Sequence, residues 1–393
     1  MTQLATTTAG TSARLVKMYA KPPILLGYTY DSQDAYKARD ANRLLALRIE
    51  TNRSCNLRCR YCYAESGGDL TAALDIHLLR NIVLQAAQLG AKSIVVIGGG
   101  EPTLHRHFRE LIRFIRRHGM IPMVFTNAVK VTPELAEFLH ENNASIMGKC
   151  DSMRAHVQDE LAGRAGAFEK IRAGMNNLIN AGFTKVRNPH RLRLGVSFVS
   201  CRMNLPEMED IWHYCRENRI FPNMEVLTPT GRAKETLQDQ YLTTDEIRKY
   251  KLRLLELDRR RFGYDWLVYT PLIASGCLQH LYSLYVTLEG NVRPCAPTKF
   301  DEHPALKKDG VYPYNVFRRS LADIYNDPLF RYVRTIDRRL EGRCHNCEHL
   351  DECLGCRGYA YAVGINQGQG PLKALRSECR QCFKQVRNVE CPE

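Results

Sequence analysis

The chain has 393 residues, a formal net charge of +14 and fifteen cysteines, long enough for one large catalytic domain with a smaller appended module. No run of about 18 apolar residues occurs and the opening residues lack the apolar core of a signal peptide, so the sequence reads as cytoplasmic and soluble, with no membrane partner. That many thiols in a reducing compartment point to metal ligation and away from a disulfide framework; the basic residues are spread over helical faces and loops without interleaved aromatics, so nucleic acid is not expected.

Residues 1–42 are too weakly periodic for a domain and are expected to form an N-terminal arm. From 43 onward short apolar runs alternate with amphipathic segments: "RLLALRIETN" (43–52) predicts a strand, and 70–90, ended by Gly90, a helix. The alternation continues as strand "SIVVIGG", helix "HFRELIRFIRRHG", strand "IPMVFTNA", helix "TPELAEFLHENN", strand "ASIMGKCDS", helix "AFEKIRAGMNNLINAG", strand "LRLGVSFVS", helix "LPEMEDIWHYCRENR" and strand "FPNMEVL". About six such βα repeats imply a parallel sheet with helices outside, either open or rolled into a barrel, with ligands at the carboxyl ends of the strands. A charged helix over 243–261 follows, then a texture dense in cysteine, glycine and aromatic residues. The expected division is therefore 1–42, 43–262 and 263–393, the last a small metal-stapled domain.

Cys55, Cys59 and Cys62 fall within eight positions directly after the first strand. Three thiolates on one loop suit three irons of a 4Fe-4S cluster, leaving the fourth iron open, or a zinc site completed from elsewhere. Gly98, Gly99 and Gly100 after the second strand allow close backbone approach to a ligand, Glu101 can accept from an ammonium, and Pro102 stiffens the turn.

These residues resemble the radical S-adenosylmethionine (SAM) enzymes. Their C-x3-C-x2-C signature follows the first strand of a partial (β/α)6 TIM-like barrel, and a Gly-Gly-Glu-Pro element follows the second; Tyr61 is the aromatic usual before the third cysteine. The resemblance implies that the open iron chelates the amino and carboxylate groups of SAM and that an electron from the cluster yields a 5'-deoxyadenosyl radical. It also implies roles at the rim for Thr126 and Asn127, for Ser197 beside the ribose, and for "EVLTPTGRA" beside adenine. Lys149 and Asp151 replace the family's usual Ser-x-Asp-Gly, so a salt bridge, a contact of Lys149 to SAM, or a substrate contact are all open.

Toward the C-terminus stand Cys277, Gly290, Cys295, Cys344, Cys347, Cys353, Cys356, Cys379 and Cys382. Pairs of C-x2-C in isolation read as zinc sites; together they resemble the SPASM extension of radical SAM enzymes, with Cys353 and Cys356 one residue closer than usual. That implies two auxiliary 4Fe-4S clusters: an outer one on Cys344, Cys347 and Cys353 with Cys379 or Cys382, and an inner one on Cys277, Cys295 and Cys356 with an open iron, Cys382 or another fourth ligand.

Auxiliary clusters near a substrate can remove the electron left after hydrogen abstraction, which favours net oxidation. The arm is too short for the leader-binding domain that peptide maturases often carry, and Ala296 stands where formylglycine-forming relatives have aspartate. The expected reaction is therefore dehydrogenation or epimerisation of a polar hydroxylated small molecule, aminocyclitol- or aminosugar-like, in natural-product biosynthesis. Maturation of a ribosomally made peptide by a thioether or carbon-carbon crosslink is the alternative; a non-enzymatic iron-sulfur or zinc protein is a third class. Asp151 and Glu225 are the candidate proton acceptors, Cys150 the candidate hydrogen donor, and a reductase with flavodoxin or a ferredoxin the expected electron donor.

Overall fold

The computed structural model describes residues 19–67, 71–268, 277–351 and 353–379. Eight strands form one sheet: β1 (Ala46–Ile49), β2 (Ser93–Val96), β3 (Ile121–Thr126), β4 (Ser145–Lys149), β5 (Leu194–Ser200), β6 (Phe221–Val226), β7 (Ser283–Val286) and β8 (Val292–Arg293), in the order β8-β7-β1-β2-β3-β4-β5-β6. All neighbours are parallel except β8 on β7. Strands β1 to β6 are the partial barrel, wrapped by α1 (Ile76–Gln88), α2 (Phe108–Arg117), α3 (Pro133–Glu141), α4 (Ala155–Ala162), α5 (Ala167–Asn180) and α6 (Met208–Glu217).

The strand composition follows from burial on both faces, which is why β2 reads as the unbroken apolar run "SIVV". One face of each strand, including Leu47, Ile49, Ile94, Val96, Val124, Ile146, Leu194 and Val196, packs on the helices in the main core. The opposite face points into the barrel. There Val95, Met123, Met147 and Phe221 meet Leu25 and Tyr28 of the N-terminal arm, whose Ile24–Leu25 pairs with Arg191–Leu192. The arm thus fills the inside of the barrel, and two residues further along β4 and β6 the same face turns polar.

Two elements differ from expectation. The first helix begins at Ile76, capped by Asp75 accepting from the His77 N–H at 2.7 Å, because the chain before it is held back on the cysteine loop through the Ala73–Asn52 bridge. The two-turn helix α4 is an element the sequence reading did not assign; it ends on Gly163 at φ 63°, where a Cβ would lie 2.2 Å from the Arg58 carbonyl oxygen. The charged helix, α7 (Thr244–Leu257), carries a capping box between Thr243 and Glu246. The expected boundary at 262/263 precedes a segment (269–276) outside the described residues, as Cys382 is. The first strand after it, β7, joins the barrel sheet: Ala46 to Ile49 pair in register with Ser283 to Val286. No helix among the described residues is long and apolar enough to cross a membrane.

Candidate active site

The cysteine loop leaves β1 and is tied down along its length by backbone polar groups that must be satisfied. The Asn52 amide donates to the Ser54 carbonyl and to the Glu101 carbonyl, at 2.9 and 3.1 Å. The Arg58 and Arg60 N–H groups donate to Ala162 and Leu161 at the end of α4. The Arg232 guanidinium donates to the carbonyls of Cys59 and Ser66, both at 2.9 Å, and the Arg232 N–H to the Cys62 carbonyl at 3.2 Å. The chain reaches those contacts through Gly231 at φ 55°, where a Cβ would lie 2.4 Å from the Cys62 carbonyl oxygen. "TPTGRA" is therefore in part a clamp on the thiol loop, a role that its resemblance to an adenine-side segment did not suggest.

The glycine element closes on the same loop. The Gly100 N–H donates to the Asn52 carbonyl at 2.6 Å and the Glu101 N–H to the Ser54 carbonyl at 2.8 Å, and a Cβ on Gly100 would lie 2.0 Å from the Ser54 carbonyl oxygen. Glu101 is buried; its carboxylate accepts from the Thr103 N–H and hydroxyl, the Thr126 hydroxyl and the Asn127 N–H. Burial pushes its pKa up, and those hydrogen bonds oppose the shift. Pro102 opens the short turn that presents this carboxylate. Asn127 donates to Asn56 at 2.7 Å and to Cys55 Sγ at 3.8 Å, fixing β3 to the thiol loop.

Cys55, Cys59, Cys62, Tyr61, Gly99, Gly100, Glu101, Asn127, Lys149, Ser197 and Glu225 line one cavity of about 390 Å³ at the carboxyl ends of the strands. Its wall continues through Cys277, Ala296 and Cys356 on one side and is otherwise rich in aromatic and apolar side chains: Tyr28, Tyr63, Ile97, Phe125, Met147, Leu227 and Tyr359. A second depression of about 440 Å³, around Gln85, Val316, Phe317 and Arg319, holds no thiol, carboxylate or imidazole in its lining.

Lys149, Asp151 and Tyr61 form a unit. Lys149 Nζ lies 3.1 Å from Asp151 and 4.7 Å above the Tyr61 ring, whose hydroxyl donates to Asp151 at 2.5 Å. Burial, the largest single effect, would lower the Lys149 pKa, but the charges of Asp151 and Glu225 and the hydrogen bond to Asp151 together raise it and keep the ammonium charged. Asp151 has no exposed surface and also accepts from the Val199 N–H at 2.9 Å. With three donors, one of them an ammonium, the Asp151 carboxylate steadies Lys149.

Cys150 is partly buried against the main core, its thiol donates to the Ser152 carbonyl at 3.6 Å, and burial pushes its pKa up to about 12, so it stays a thiol. Glu225 keeps its candidacy: Asn223 and Ser197 donate to its Oε1 at 2.9 and 3.2 Å, and no described residue donates to Oε2. Arg48, not noticed in the sequence, also lines the cavity. It is 7% exposed, its Nε has no hydrogen-bond partner among the described residues, and its guanidinium lies 5.4 Å from the centre of the Tyr28 ring.

The donor set and cradle fit a 4Fe-4S cluster with SAM beside it: three thiols edge one cavity, glycine backbone closes directly on their loop, and carboxylate, amide and ammonium groups face the same space. Among the described residues no three His, Cys, Asp or Glu side chains converge as a single metal ion requires.

Residues 49–190 match the Radical SAM superfamily and residues 277–348 the SPASM iron-sulfur cluster-binding domain. The mycofactocin maturase MftC of Mycolicibacterium smegmatis is 26% identical over 347 residues, covering 85% of this chain and 82% of its own. The AdoMet-dependent heme synthase of Oleidesulfovibrio alaskensis is 26% identical over 361 residues, covering 84% and 87%. Streptococcus suis SuiB bound to the precursor peptide SuiA is similar in fold, with a TM-score of 0.64 at 17% identity over 89% of this chain and 79% of that one.

Proposed function

Because the chain belongs to the radical SAM superfamily and carries a SPASM domain, with 4Fe-4S clusters and SAM as cofactors, we propose that it matures a ribosomally made peptide by oxidative formation of a thioether or carbon-carbon bond. The observation that carries this reading is the single cavity onto which both thiol sets open, Cys55, Cys59 and Cys62 on one side and Cys277 and Cys356 on the other. Similarity to MftC and the shared fold with SuiB support the peptide in place of the aminocyclitol. The apolar part of the wall, with Ile97, Phe125, Met147 and Leu227, offers surface from which a buried peptide side chain would gain.

When bound, the cluster at the three-thiol loop and SAM supply a hydrogen-abstracting radical, and the auxiliary clusters supply an acceptor for the second electron. The chain's own residues hold the reactants. We assign Tyr61, Gly99, Gly100, Glu101, Pro102, Asn127, Lys149 and Ser197 to SAM: Glu101 and Asn127 accept from and donate to its amino-acid end, and Lys149 offers an ammonium to its carboxylate. The aromatic wall excludes water from the reacting carbon. Glu225 takes the proton released as the new bond forms, its Oε1 steadied by Asn223 and Ser197. Arg48 offers its unpartnered Nε to a peptide carbonyl or carboxylate.

The test is anaerobic reconstitution with iron and sulfide, then incubation with SAM, dithionite and each short peptide found encoded near the gene. Mass spectrometry should show a peptide lighter by two hydrogens, with 5'-deoxyadenosine formed in step. Turnover of an aminocyclitol or a tetrapyrrole, with every such peptide left unchanged, would overturn the reading. For Glu225→Gln we expect peptide product to fall about 10- to 100-fold while SAM cleavage without peptide persists. Unchanged product would remove Glu225 from the proton step.

A further inference from the structure

Strand β1 is buried along its whole length, and a cation stands in its middle. Leu47 and Ile49 take the outer face against the helices, while Arg48 lines the cavity inside the barrel. In register with Arg48 are Val95 on β2 and Tyr285 on β7, and Val95 is followed round the sheet by Met123. A strand position enclosed on both faces is ordinarily apolar, as Val95 and Met123 are.

Five arginines are buried among the described residues, and four of them are completed by oxygens of the chain. Arg216 donates to both oxygens of Asp258, and Arg293 to both oxygens of Asp301. Arg334 donates to the Tyr325 carbonyl and the Asn42 side chain, and Arg357 to the carbonyls of Leu375 and Ser377. Arg48 is the exception: it forms no hydrogen bond or ion pair with any described residue, and its Nε is buried without a partner. Its neighbour is the Tyr28 ring, 5.4 Å from the guanidinium, and a phenol is neutral at ordinary pH. Glu50, two residues along the strand, is occupied elsewhere. It accepts from the Tyr285 hydroxyl at 2.6 Å and the Leu288 N–H at 3.0 Å, and its nearest cation is Arg53 at 3.8 Å.

The two other cations on the cavity wall do have carboxylates, Lys149 with Asp151 at 3.1 Å and Lys299 with Glu302 at 2.9 Å. Lys149, assigned above to the SAM carboxylate, stands on β4, three strands away from Arg48. A buried guanidinium without an anion is costly, and the cost is recovered when one arrives. A neutral carbonyl would leave the charge uncompensated, whereas a carboxylate meets the planar fork with two hydrogen bonds and cancels it.

We infer that Arg48 is the specificity residue for a free carboxylate on the substrate, either the peptide's own C-terminus or an Asp or Glu side chain, seated on the guanidinium inside the barrel. This rests on the reading of the substrate as a peptide and narrows it to one that carries an acid into the cavity.

The experiment uses reconstituted full-length protein and the peptide that the parent matures, made unaltered, as the C-terminal amide, and with each Asp or Glu changed to Asn or Gln. One neutralised form should raise KM about 10- to 100-fold on the parent, and which form does so tells a terminal from a side-chain carboxylate. Arg48→Gln should raise KM of the unaltered peptide to that of the neutralised form and leave the neutralised form as it was. Arg48→Lys, which keeps the charge without the fork, should fall between. Iron content and the EPR spectrum of the dithionite-reduced protein are read for each variant, to separate loss of fold from loss of the contact; the comparison of peptides on the parent needs no variant. A parent that matures all forms with equal KM overturns the Arg48 assignment and leaves the peptide reading standing. A parent that leaves every form unchanged while turning over an aminocyclitol or a tetrapyrrole overturns both. An Arg48→Gln protein that weakens unaltered and neutralised peptides alike, with the auxiliary-cluster signal displaced, gives the cation to a cluster and overturns the assignment as well.

Discussion

Replacement of Cys59 by alanine is expected to abolish SAM cleavage, with 5'-deoxyadenosine released under dithionite falling at least ~1,000-fold, since a site cluster held by two thiols no longer presents one open iron. Cys59 is the natural choice among the three. Its side chain edges the cavity and its carbonyl is held by Arg232. Alanine leaves the Arg232 clamp intact, because that bond is made to the backbone, so the loop should keep its path while the ligand is lost. Iron bound by the auxiliary cysteines should remain, and chromatography of the nucleoside product with iron analysis measures both. Undiminished 5'-deoxyadenosine from Cys59→Ala would sink the assignment of this loop.

Asp258→Ala is expected to cost about 3–5 kcal/mol of stability. Asp258 follows α7, has no exposed surface, and accepts from the Trp212 and Trp266 indoles, both at 2.9 Å, and from Arg216 at 2.8 and 3.0 Å. Four donors converge on one carboxylate, and Arg216 is itself buried beneath the Trp212 ring, with its guanidinium 4.9 Å from the ring centre. Removing the carboxylate strands a buried cation and two indole N–H groups together, where removing the whole set would cost far less. Asp258→Asn, which can still accept from the indoles, should fall between alanine and the parent. Guanidinium unfolding of the cluster-free protein reads the order, and a loss below ~1 kcal/mol for alanine would show that water replaces the carboxylate.

Metal and glycine chemistry is legible in a sequence because it forces residue types to exact offsets: Cys55, Cys59 and Cys62 and the run from Gly98 to Pro102 could be found without a fold. The βα alternation was equally plain, since strands buried on both faces and helices buried on one have different periods. What could not be read was partnership. Asp151 and Glu225 are both carboxylates at strand ends, yet one is held by Lys149, Tyr61 and a backbone N–H while the other faces the cavity with an oxygen to which no described residue donates; that difference rests in part on Tyr61 and Val199, 90 and 48 positions from Asp151. Arg232 and Arg48 act through a backbone carbonyl and an unfilled space, which leave no pattern at all. The substrate class is a matter for the cavity wall, part of which, Tyr28, the N-terminal arm supplies, and a contact of that kind leaves no motif in the sequence.

The pairing of β7 with β1 has a consequence for how the protein is made. Tyr285 reaches back to Glu50, 235 residues earlier, with a 2.6 Å hydrogen bond, and its hydroxyl also meets Tyr63 of the thiol loop. Closing so long a loop adds little to the equilibrium cost, which grows only with the logarithm of its length, but it delays folding. Until the ribosome has released the last third of the chain, β1 is an edge strand with its N–H and C=O groups open to any other strand in the cell. A barrel fragment cut before residue 277 should therefore aggregate rather than persist as a smaller SAM-cleaving enzyme, and assembly of the first iron site must wait for the polypeptide that carries the others.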